Sequence, residues 1–521
     1  MSEDRDRTIE LVTRSLAPET LESFEDRLAE QAAWLRAAID DGRMDNADPT
    51  IGLELEVYAV RTAGTDDASE TRLARVPAGV FETSAANKEL GLHNVEINTE
   101  PTVLDESGLT AQAEEIRDRT RKAAAAARDH GCELVLDAMW TLPPTEGAIE
   151  YLSATEEHDG VVLAENMRQD PRYVAIDNDA LRHADGNRIE LSVPGVERAF
   201  PSILFESLAT SIQPHLQVPA AADVPGYYSA AIRTLGPVLA ISANSPFLPG
   251  AFYDEVGDPE RVIEETHHEL RIDVFEQSVN QTAEAKVKVP RDIETATDVV
   301  DRVLEDDPYA PFLREWIESE TDRQSLSDRV WEFDHKRGTY WRWVRCVLGG
   351  DRVDAENDEH SVRIEYRPIP TQPTVTDTVG MQALVVGLLL GLVRSDHPIQ
   401  RLPWAAAESS FYSAVRSGLD AELAWVTADG ERTDDRAVVF EEIFTHARRG
   451  LESVGIARER IERYISPIES RWRADTTPSS WKKETVLERI EAGAGLESAI
   501  AGMQREYIRR SRGADSFAEW L

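Results

Sequence analysis

The sequence predicts an α+β protein in which an antiparallel sheet is flanked by helices, with helical extensions at both ends of the chain. Three observations support this prediction. Between Ile51 and about Asp377, short stretches that alternate apolar and polar residues are interspersed with helical stretches. Before them, residues 1–48 carry apolar side chains at helical spacing and end in a segment rich in Asp and Asn. After Asp377, helical periodicity continues almost to the C-terminus.

These changes of pattern divide the chain into three predicted regions. An N-terminal helical extension covers 1–48, a central α+β domain covers 49–420, and a helical C-terminal region covers 421–521. With 41% hydrophobic residues, the chain has enough apolar side chains for a substantial core. It therefore has the composition of a globular protein, and no internal repeat is evident.

Three helices are predicted with defined limits. Apolar spacing indicates one over Leu109–His130, ended by Gly131, and another over Pro259–Val279. The longest apolar run, Met381–Val393, is interrupted by polar and glycine residues and is shorter than the roughly 20 residues that span a bilayer. It is predicted to be a buried helix, and no association with a membrane is expected.

The charge of the chain excludes one class of partner. Its 97 Asp and Glu residues against 56 Lys and Arg give a formal net charge of -41, so a nucleic acid would be repelled. Because only seven of the basic residues are Lys, the composition resembles that of halophilic proteins, which stay hydrated in a salty cytosol. The N-terminal sequence lacks the pattern of a signal peptide, and a cytoplasmic location is expected.

Four predicted strands share one arrangement, in which apolar residues on one face alternate with polar residues on the other. In the first, the apolar positions from Ile51 to Val57 alternate with two glutamates. The polar residues of the four strands are, in chain order, Glu54 and Glu56; Asn94, Glu96 and Asn98; Gln213, His215 and Gln217; and Arg363, Glu365 and Arg367.

This polar face has two interpretations. One is the solvated side of an ordinary antiparallel sheet. The other is a metal site, because two carboxylates at positions i and i+2, such as Glu54 and Glu56, repel each other unless a cation lies between them. A set of oxygen ligands suits Mg²⁺ or Mn²⁺ better than Zn²⁺. Arginines beside carboxylate-bound Mg²⁺ would in addition stabilise the charge that develops in phosphoryl transfer.

Other catalytic motifs are missing from the sequence. It contains no G-x-x-x-x-G-K-[ST] loop for a nucleotide phosphate and no G-x-S-x-G segment for a serine nucleophile. The HHELR segment at 267–271 lacks the second histidine of a metalloprotease motif. Any nucleotide must therefore be bound in another way, and the four strands are the best candidates.

The motifs on these strands resemble those of glutamate–cysteine ligase family 2, which includes bacterial carboxylate–amine ligases and is related to glutamine synthetase. The resemblance covers roughly 51–420. Five segments follow one another in the family's order: GLELE at 52–56, VEINT at 95–99, PHLQV at 214–218, SANSPF at 242–247 and RIEYRP at 363–368.

This resemblance implies a glutamine synthetase-like fold, whose antiparallel sheet binds metal ions on its concave face. It also implies that Glu54 and Glu56 bind different ions, that Glu96 joins one of them, and that His215 and Glu365 complete the other. For Arg172, an ordinary surface ion pair is an equally good interpretation. The roles implied are metal binding by Glu54, Glu56, Glu96, His215 and Glu365; catalysis by Glu365, Arg345 and Arg367; and nucleotide or substrate binding by Arg172, Arg271, Arg363 and Arg367.

The implied reaction is the ATP-dependent joining of a carboxylate to an amine through an acyl phosphate, with glutamate and cysteine as the leading substrates. Mg²⁺ or Mn²⁺ is the implied cofactor and ATP the co-substrate. The expected partners are small molecules, with no nucleic acid and no membrane, and assembly into a homo-oligomer is left open.

Departures from the family pattern support a second hypothesis, a relative that binds nucleotide for regulation and has lost catalysis. Gln217 occupies the position of the family's second histidine, Met139–Pro143 lacks a histidine, and Pro249–Asp258 replaces a pattern of glycine and arginine. A third hypothesis is a metal-dependent hydrolase that uses the same carboxylates without ATP.

Overall fold

A nine-stranded antiparallel sheet lies at the centre of the protein and is surrounded by helices, as seen in a computed structural model. The structure describes residues 2–46, 49–62, 71–317, 326–349 and 360–521. The predicted α+β class and the helical character of both ends are confirmed. The domain boundaries after residues 48 and 420 remain predictions.

The strands in the described ranges form the central sheet and three small two-stranded sheets. They are β1 (Thr50–Thr62), β2 (Thr71–Leu73), β3 (Asn87–Lys88), β4 (Asn94–Asn98), β5 (Thr102–Val103), β6 (Glu133–Val135), β7 (Thr155–His158), β8 (Val161–Ala164), β9 (Ile189–Val193), β10 (Val196–Phe200), β11 (Ile212–Val218), β12 (Val344–Leu348), β13 (Val362–Tyr366), β14 (Trp425–Val426) and β15 (Arg432–Thr433).

The α-helices in the same ranges lie between these strands and at both ends of the chain. They are α1 (Ser2–Ser15), α2 (Pro18–Asp40), α3 (Ala78–Glu82), α4 (Glu106–Asp129), α5 (Ala148–Ser153), α6 (Pro171–His183), α7 (Val224–Ser242), α8 (Pro259–Glu265), α9 (Leu270–Val279), α10 (Asp298–Glu305), α11 (Leu326–Arg329), α12 (Trp331–Arg337), α13 (Val375–Arg394), α14 (Trp404–Ser417), α15 (Arg436–Glu452), α16 (Arg458–Arg473), α17 (Pro478–Glu491) and α18 (Leu496–Gly513).

The long strand β1 organises the central sheet. The strands run in the order β12-β13-β11-β1-β4-β3, and β2, β5 and β6 also pair with β1. The apolar side chains Leu53, Leu55 and Val57 of β1 are buried, and α4 and α13 pack against this part of the sheet. The opposite face of β1, β4, β11 and β13 is consequently left for the polar residues.

Helix α13 is the apolar helix expected around Met381–Val393. It is long and apolar enough to cross a membrane by length and composition, but 94% of its most apolar stretch is buried inside the protein. The gamma-oxygen of Thr374 accepts a hydrogen bond from the backbone of Asp377 at 3.1 Å and so caps its N-terminus. The prediction of a buried helix is confirmed.

The prediction of one continuous helix over Pro259–Val279 is wrong. The structure has two helices, α8 and α9, with a break at residues 266–269. Where the break ends, the backbone N–H of Leu270, the first residue of α9, donates to the Ser245 carbonyl, and Glu269 accepts two hydrogen bonds from the loop after α7. These contacts with distant segments hold the break open, and no helical periodicity could reveal them.

The helices at both ends of the chain are tied to the core by ion pairs. On α2, Arg27 pairs with Glu315 at the surface and with the buried Glu332 at 2.8 Å. From the C-terminal region, Arg471 of α16 pairs with Asp377 at 2.9 Å with both side chains fully buried. Lys482 of α17 pairs in the interior with Asp137 at 2.5 Å. The C-terminal helices are therefore part of the protein's interior.

Candidate active site

The polar face of the central sheet gathers the predicted site residues from five neighbouring strands. Glu56 on β1 lies directly opposite Glu96 on β4. Glu365 on β13 lies opposite both His215 on β11 and Arg345 on β12. Because paired residues of antiparallel strands project to the same face, these side chains become neighbours. The predicted common polar face is confirmed.

Three carboxylates, here called the acidic cluster, converge at one side of this face: Glu56, Glu89 and Glu96. One oxygen from each lies within 4.8 Å of the others. The Oε2 atom of Glu56 accepts hydrogen bonds from the Ser211 backbone at 2.7 Å and hydroxyl at 3.1 Å, and its Oε1 atom accepts one from Gln213 at 3.1 Å. These bonds hold Glu56 in place on the sheet.

Burial and mutual repulsion shift the acidic cluster towards its protonated form. Burial raises the pKa of Glu89 to about 8, and repulsion from Glu56 and from Glu206 adds to this effect. The pKa of Glu206 is likewise raised to about 8 by burial and by Glu56. Burial also raises the pKa of Glu56 and, together with repulsion from other glutamates, holds that of Glu96 well above its usual range.

The acidic cluster fits a hard divalent cation. Among the described residues, no lysine or arginine forms an ion pair with its three carboxylates. The side-chain oxygen of Asn98, on the same face, is buried without a hydrogen-bond partner in the described structure. Clustered oxygen ligands that are not engaged in ion pairs suit Mg²⁺ or Mn²⁺, and binding would displace the protons.

A second group, here called the arginine-paired cluster, lies beside the first and consists of Glu54, His215, Glu365, Arg345 and Arg367. The Nε atom of Arg345 lies 3.0 and 2.9 Å from the two oxygens of Glu365, and Arg367 donates to the same carboxylate. The Nε2 atom of His215 lies 3.2 Å from Glu54. Each carboxylate here already has a basic partner.

The pKa values of this cluster move in the opposite direction. Burial acts to raise the pKa of Glu365, but Arg345 and Arg367 outweigh it and hold that pKa well below its usual range. Burial also opposes ionisation of Glu54, yet attraction to His215 leaves its pKa lowered. Both carboxylates are therefore charged at neutral pH without any bound ion.

The two sets of metal ligands implied by the resemblance do not converge equally. Glu56 and Glu96 meet as expected, joined by Glu89. Glu54, His215 and Glu365 do not form such a compact group. In the described structure, ligand atoms lie within 4.8 Å of one another in the acidic cluster and in a second group, formed by His397, Glu442 and His446. Binding of an ion by Glu365 would require it to share oxygens already bonded to Arg345.

Arg363 and Arg271 lie at the edges of this site with partners of their own. The Nε atom of Arg363 donates to His215 Nδ1 at 3.2 Å, which leaves the other ring nitrogen to face Glu54. Arg271 is buried, with its Nε atom 3.3 Å from Glu269, and it also donates to the Pro368 carbonyl. Arg271 thus connects the loop after α7 to the end of β13.

Arg172 is placed further from the carboxylates. It begins α6 and donates to the carbonyl of His335 at 3.4 Å. Among the described residues it forms no ion pair, so the interpretation as a surface ion pair is not supported. Burial and the nearby Arg337 lower its pKa. Burial raises the pKa of its neighbour Tyr173, and repulsion from Glu89 and Glu96 adds to this effect.

A cavity of about 420 Å³ opens at one end of the polar face. This volume is typical of small-molecule sites. It adjoins the strand that carries Glu54 and reaches a surface arginine, Arg119. Its lining includes Thr50, Glu54, Asn98, His215, Gln217 and Arg363.

Two carboxylates of this site, Glu89 and Glu206, were missed by the sequence reasoning. Glu89 follows the two-residue strand β3, which is too short to show alternation. Glu206 lies in a 3-10 turn over Ile203–Leu208. Neither position belongs to a periodic pattern, and the only signal in the sequence is at Glu206, an acidic residue in an otherwise mostly apolar stretch.

Comparison with known protein families decides the assignment. The family model of glutamate-cysteine ligase family 2 matches residues 50–512. The chain belongs to this family. The match extends from residue 420, where the recognised resemblance ended, through most of α18. Family membership identifies the protein as an ATP-dependent ligase that forms C–N bonds, of the glutamate–cysteine ligase type.

Two solved structures are similar to this family member at low identity. A glutamate–cysteine ligase from Francisella tularensis, in complex with AMP, is 12% identical, with a TM-score of 0.48 over 91% of this chain and 90% of that one. A bifunctional glutathione synthetase from Pasteurella multocida is 12% identical, with a TM-score of 0.49 over 89% of this chain and 53% of that one. A search of curated protein sequences finds no match.

Proposed function

We propose that the protein joins the carboxylate of glutamate to an amine, with cysteine as the leading amine, through an acyl phosphate formed from ATP. The acidic cluster beside the arginine-paired cluster is the observation that carries this proposal. Phosphoryl transfer requires metal ligands and fixed positive charge next to each other, and here they occupy one face of one sheet.

The metal site of this proposal consists of Glu56, Glu89 and Glu96, with Glu54, His215 and Glu365 as further ligands on the same face. Mg²⁺ or Mn²⁺, when bound, would offset the charge of the ATP phosphates. The backbone and hydroxyl of Ser211 hold Glu56 in the orientation that this requires. Such second contacts fix the geometry of ligands before an ion arrives.

The arginines are proposed to act on the transferred phosphoryl group. Glu365 accepts hydrogen bonds from Arg345, at 3.0 and 2.9 Å, and from Arg367. Both guanidinium groups are therefore already oriented in the absence of substrate. Arg367 faces the γ-phosphate in this proposal and Arg345 stabilises the same charge from the neighbouring strand. Because orientation and charge do the work, the chain needs no nucleophilic side chain.

The proposed reaction has two steps. A carboxylate oxygen of glutamate attacks the γ-phosphorus of ATP in line, which forms an acyl phosphate and releases ADP. The amine nitrogen then attacks the acyl carbon, phosphate leaves, and the amine loses a proton. Arg363, Arg271 and Arg172 are proposed to bind phosphate or substrate carboxylates at the edges of the site, and the cavity near Glu54 to admit one of these ligands.

Two of the three departures from the family pattern have local structural partners. Gln217 accepts a hydrogen bond from Thr50 at 3.2 Å. In the Met139–Pro143 segment, Trp140 is fully buried and Thr141 bonds to Gln504 of α18 at 3.1 Å. These contacts give both segments structural roles, so the catalytic hypothesis remains ahead of the regulatory one.

The decisive experiment is an amine screen. The protein is incubated in molar KCl with Mg²⁺, ATP, glutamate and single amino acids or polyamines, and ADP and products are measured. We expect ADP release that depends on the amine, with γ-glutamylcysteine as the leading product, and hydroxylamine should trap the acyl phosphate as a hydroxamate. Reactions without amine and with the Glu96→Gln variant serve as controls.

Absence of turnover with every amine would contradict the proposal. Calorimetry then distinguishes the alternatives, since binding of ATP without hydrolysis would favour a regulatory relative. Cleavage of γ-glutamyl amides without ATP would favour a hydrolase. The cytoplasmic location, the adaptation to salt and assembly into a homo-oligomer are also proposals, and the last is testable by light scattering.

A further inference from the structure

A second group of potential metal ligands lies far from the polar face of the sheet. His397 belongs to the loop after α13, and Glu442 and His446 occupy successive turns of α15. Their i, i+4 spacing places the last two on one side of the helix. One ring nitrogen from each histidine and one oxygen of Glu442 all lie within 4.8 Å of one another.

The two histidines are buried and incompletely bonded. His397 is 7% exposed and His446 is 2% exposed. Their ring centroids are 4.7 Å apart at an angle of 77°. The Nδ1 atoms of both rings are buried without a hydrogen-bond partner in the described structure. Unpaired buried polar atoms are rare because they cost free energy, and two in one cluster indicate a missing ligand.

The carboxylate of the group is held by contacts of its own. Glu442 Oε2 accepts a hydrogen bond from the indole of Trp425 at 2.8 Å and lies 3.2 Å from His397 Nε2. Its Oε1 atom accepts one from the backbone of Ala428 at 2.9 Å. Outer contacts of this kind orient a metal ligand and are a regular feature of built metal sites.

The backbone around the group is rigid because two helices touch there. A Cβ atom on Gly391 of α13 would lie 1.9 Å from the carbonyl oxygen of His446 on α15. Only glycine permits this approach, so the position of His446 relative to the end of α13 is fixed. A preformed geometry lowers the entropic cost of binding an ion.

We propose that His397, Glu442 and His446 bind one transition-metal ion of the Zn²⁺ class, with water as the fourth ligand. Two imidazole nitrogens and one carboxylate oxygen are a donor set typical of zinc and unsuited to Mg²⁺. The Glu442 side chain is 20% exposed, which leaves a path for the ion and the water. The ion fastens the loop after α13 to α15, and its binding is independent of the ligase reaction.

The test is a titration with Co²⁺, used as a spectroscopic substitute for Zn²⁺. Chelator-treated protein is titrated with Co²⁺ in molar KCl, and excess Mg²⁺ is present to occupy the sites made of oxygen ligands. Any Co²⁺ that still binds at such octahedral sites absorbs only weakly. We expect a strong visible band typical of tetrahedral Co²⁺, saturating at one ion per chain and displaced by Zn²⁺ but not by Mg²⁺. Absence of this band in the wild-type protein overturns the proposal.

Variants locate the ion. His446→Gln and Glu442→Gln should each weaken Co²⁺ binding by about tenfold or more. Zn²⁺ should raise the Tm of the wild-type protein, and each variant should lose this rise. The matched control His158→Gln, an exposed histidine paired with Glu156, should bind as the wild type does. Wild-type affinity in both site variants overturns the proposal, and if His446→Gln fails to fold, Glu442→Gln decides.

Discussion

The acidic cluster and the arginine-paired cluster are made from the same kind of side chain on the same sheet, yet their ionisation is opposite. Glu365 and Glu54 have lowered pKa values because arginine or histidine lies against them. Glu89 and Glu96 have raised pKa values because burial and other carboxylates surround them. In one half of the site basic side chains therefore dominate the ionisation of the carboxylates, and in the other half burial and repulsion between carboxylates dominate it.

The largest effect is expected from Glu365→Gln, which removes the central carboxylate of the arginine-paired cluster. Removing this charge leaves Arg345 and Arg367 buried without their carboxylate, so folding stability should fall by about 3–5 kcal/mol and nucleotide turnover should be abolished. Urea denaturation and an ADP assay measure the two effects. Full activity in this variant would refute the assignment of Glu365 to the site.

The next effect, from Glu96→Gln, should separate activity from stability. Turnover should fall by about 100-fold or more if a metal ligand is lost. The metal-free protein should become no less stable, because a repelled carboxylate has been replaced by a neutral amide. The measurements are the same two assays with a chelator present for denaturation. Destabilisation as large as that of Glu365→Gln would show that the two halves do not differ as described.

The pH dependence of the metal-free protein provides a third test. Glu89 and Glu206 have pKa values of about 8 in the folded state against 4.5 in a model peptide. As pH rises, the unfolded chain loses these protons first. The stability contributed by the protonated groups is therefore complete below pH 4.5 and is lost as pH rises towards 8. Each group contributes about 1.4 kcal/mol for every unit by which its folded pKa exceeds its unfolded pKa.

Denaturation of chelator-treated protein between pH 5 and 8 measures this dependence. Arginine-paired carboxylates such as Glu365 contribute little in this range, because their titration lies at lower pH. Added Mg²⁺ should flatten the decline, since it replaces the protons. Stability that increases with pH in the metal-free protein would be inconsistent with a buried, uncompensated acidic cluster.

The smallest effect is expected from Gln217→His, which restores the histidine of the family pattern. Gln217 pairs in register with Arg363 and bonds to Thr50, so its contacts lie on the arginine side of the face. Activity should change by no more than about threefold, or roughly 0.6 kcal/mol in the barrier. A gain of tenfold or more would indicate that position 217 binds the ion directly.

Alternation along the strands was sufficient to predict the polar face. The period of two fixes which face a residue occupies, so Glu56, Glu96, His215 and Glu365 could be placed together before their pairing was known. Pairing itself is a property of the tertiary fold. Which carboxylates would meet an arginine and which would meet each other could therefore not be read from the strands one by one.

Residues outside regular patterns were beyond prediction for a different reason. Glu89 reaches the site from the residue after a short strand and Glu206 from a 3-10 turn, where position in the chain does not determine direction. The break between α8 and α9 depends on Ser245, which is distant in sequence. Sequence patterns report local geometry, and these features depend on long-range contacts.

The buried pairs of the C-terminal helices constrain how the protein can be synthesised. Helix α13 packs against α15 and α16, and its Asp377 pairs with Arg471, so a nascent chain that ends before Arg436 exposes one of its most apolar segments. Lys482 and Asp137 join segments that leave the ribosome at very different times. The central sheet therefore gains its full set of native contacts only after the C-terminal helices have been synthesised, and until then the exposed face of α13 favours association with chaperones.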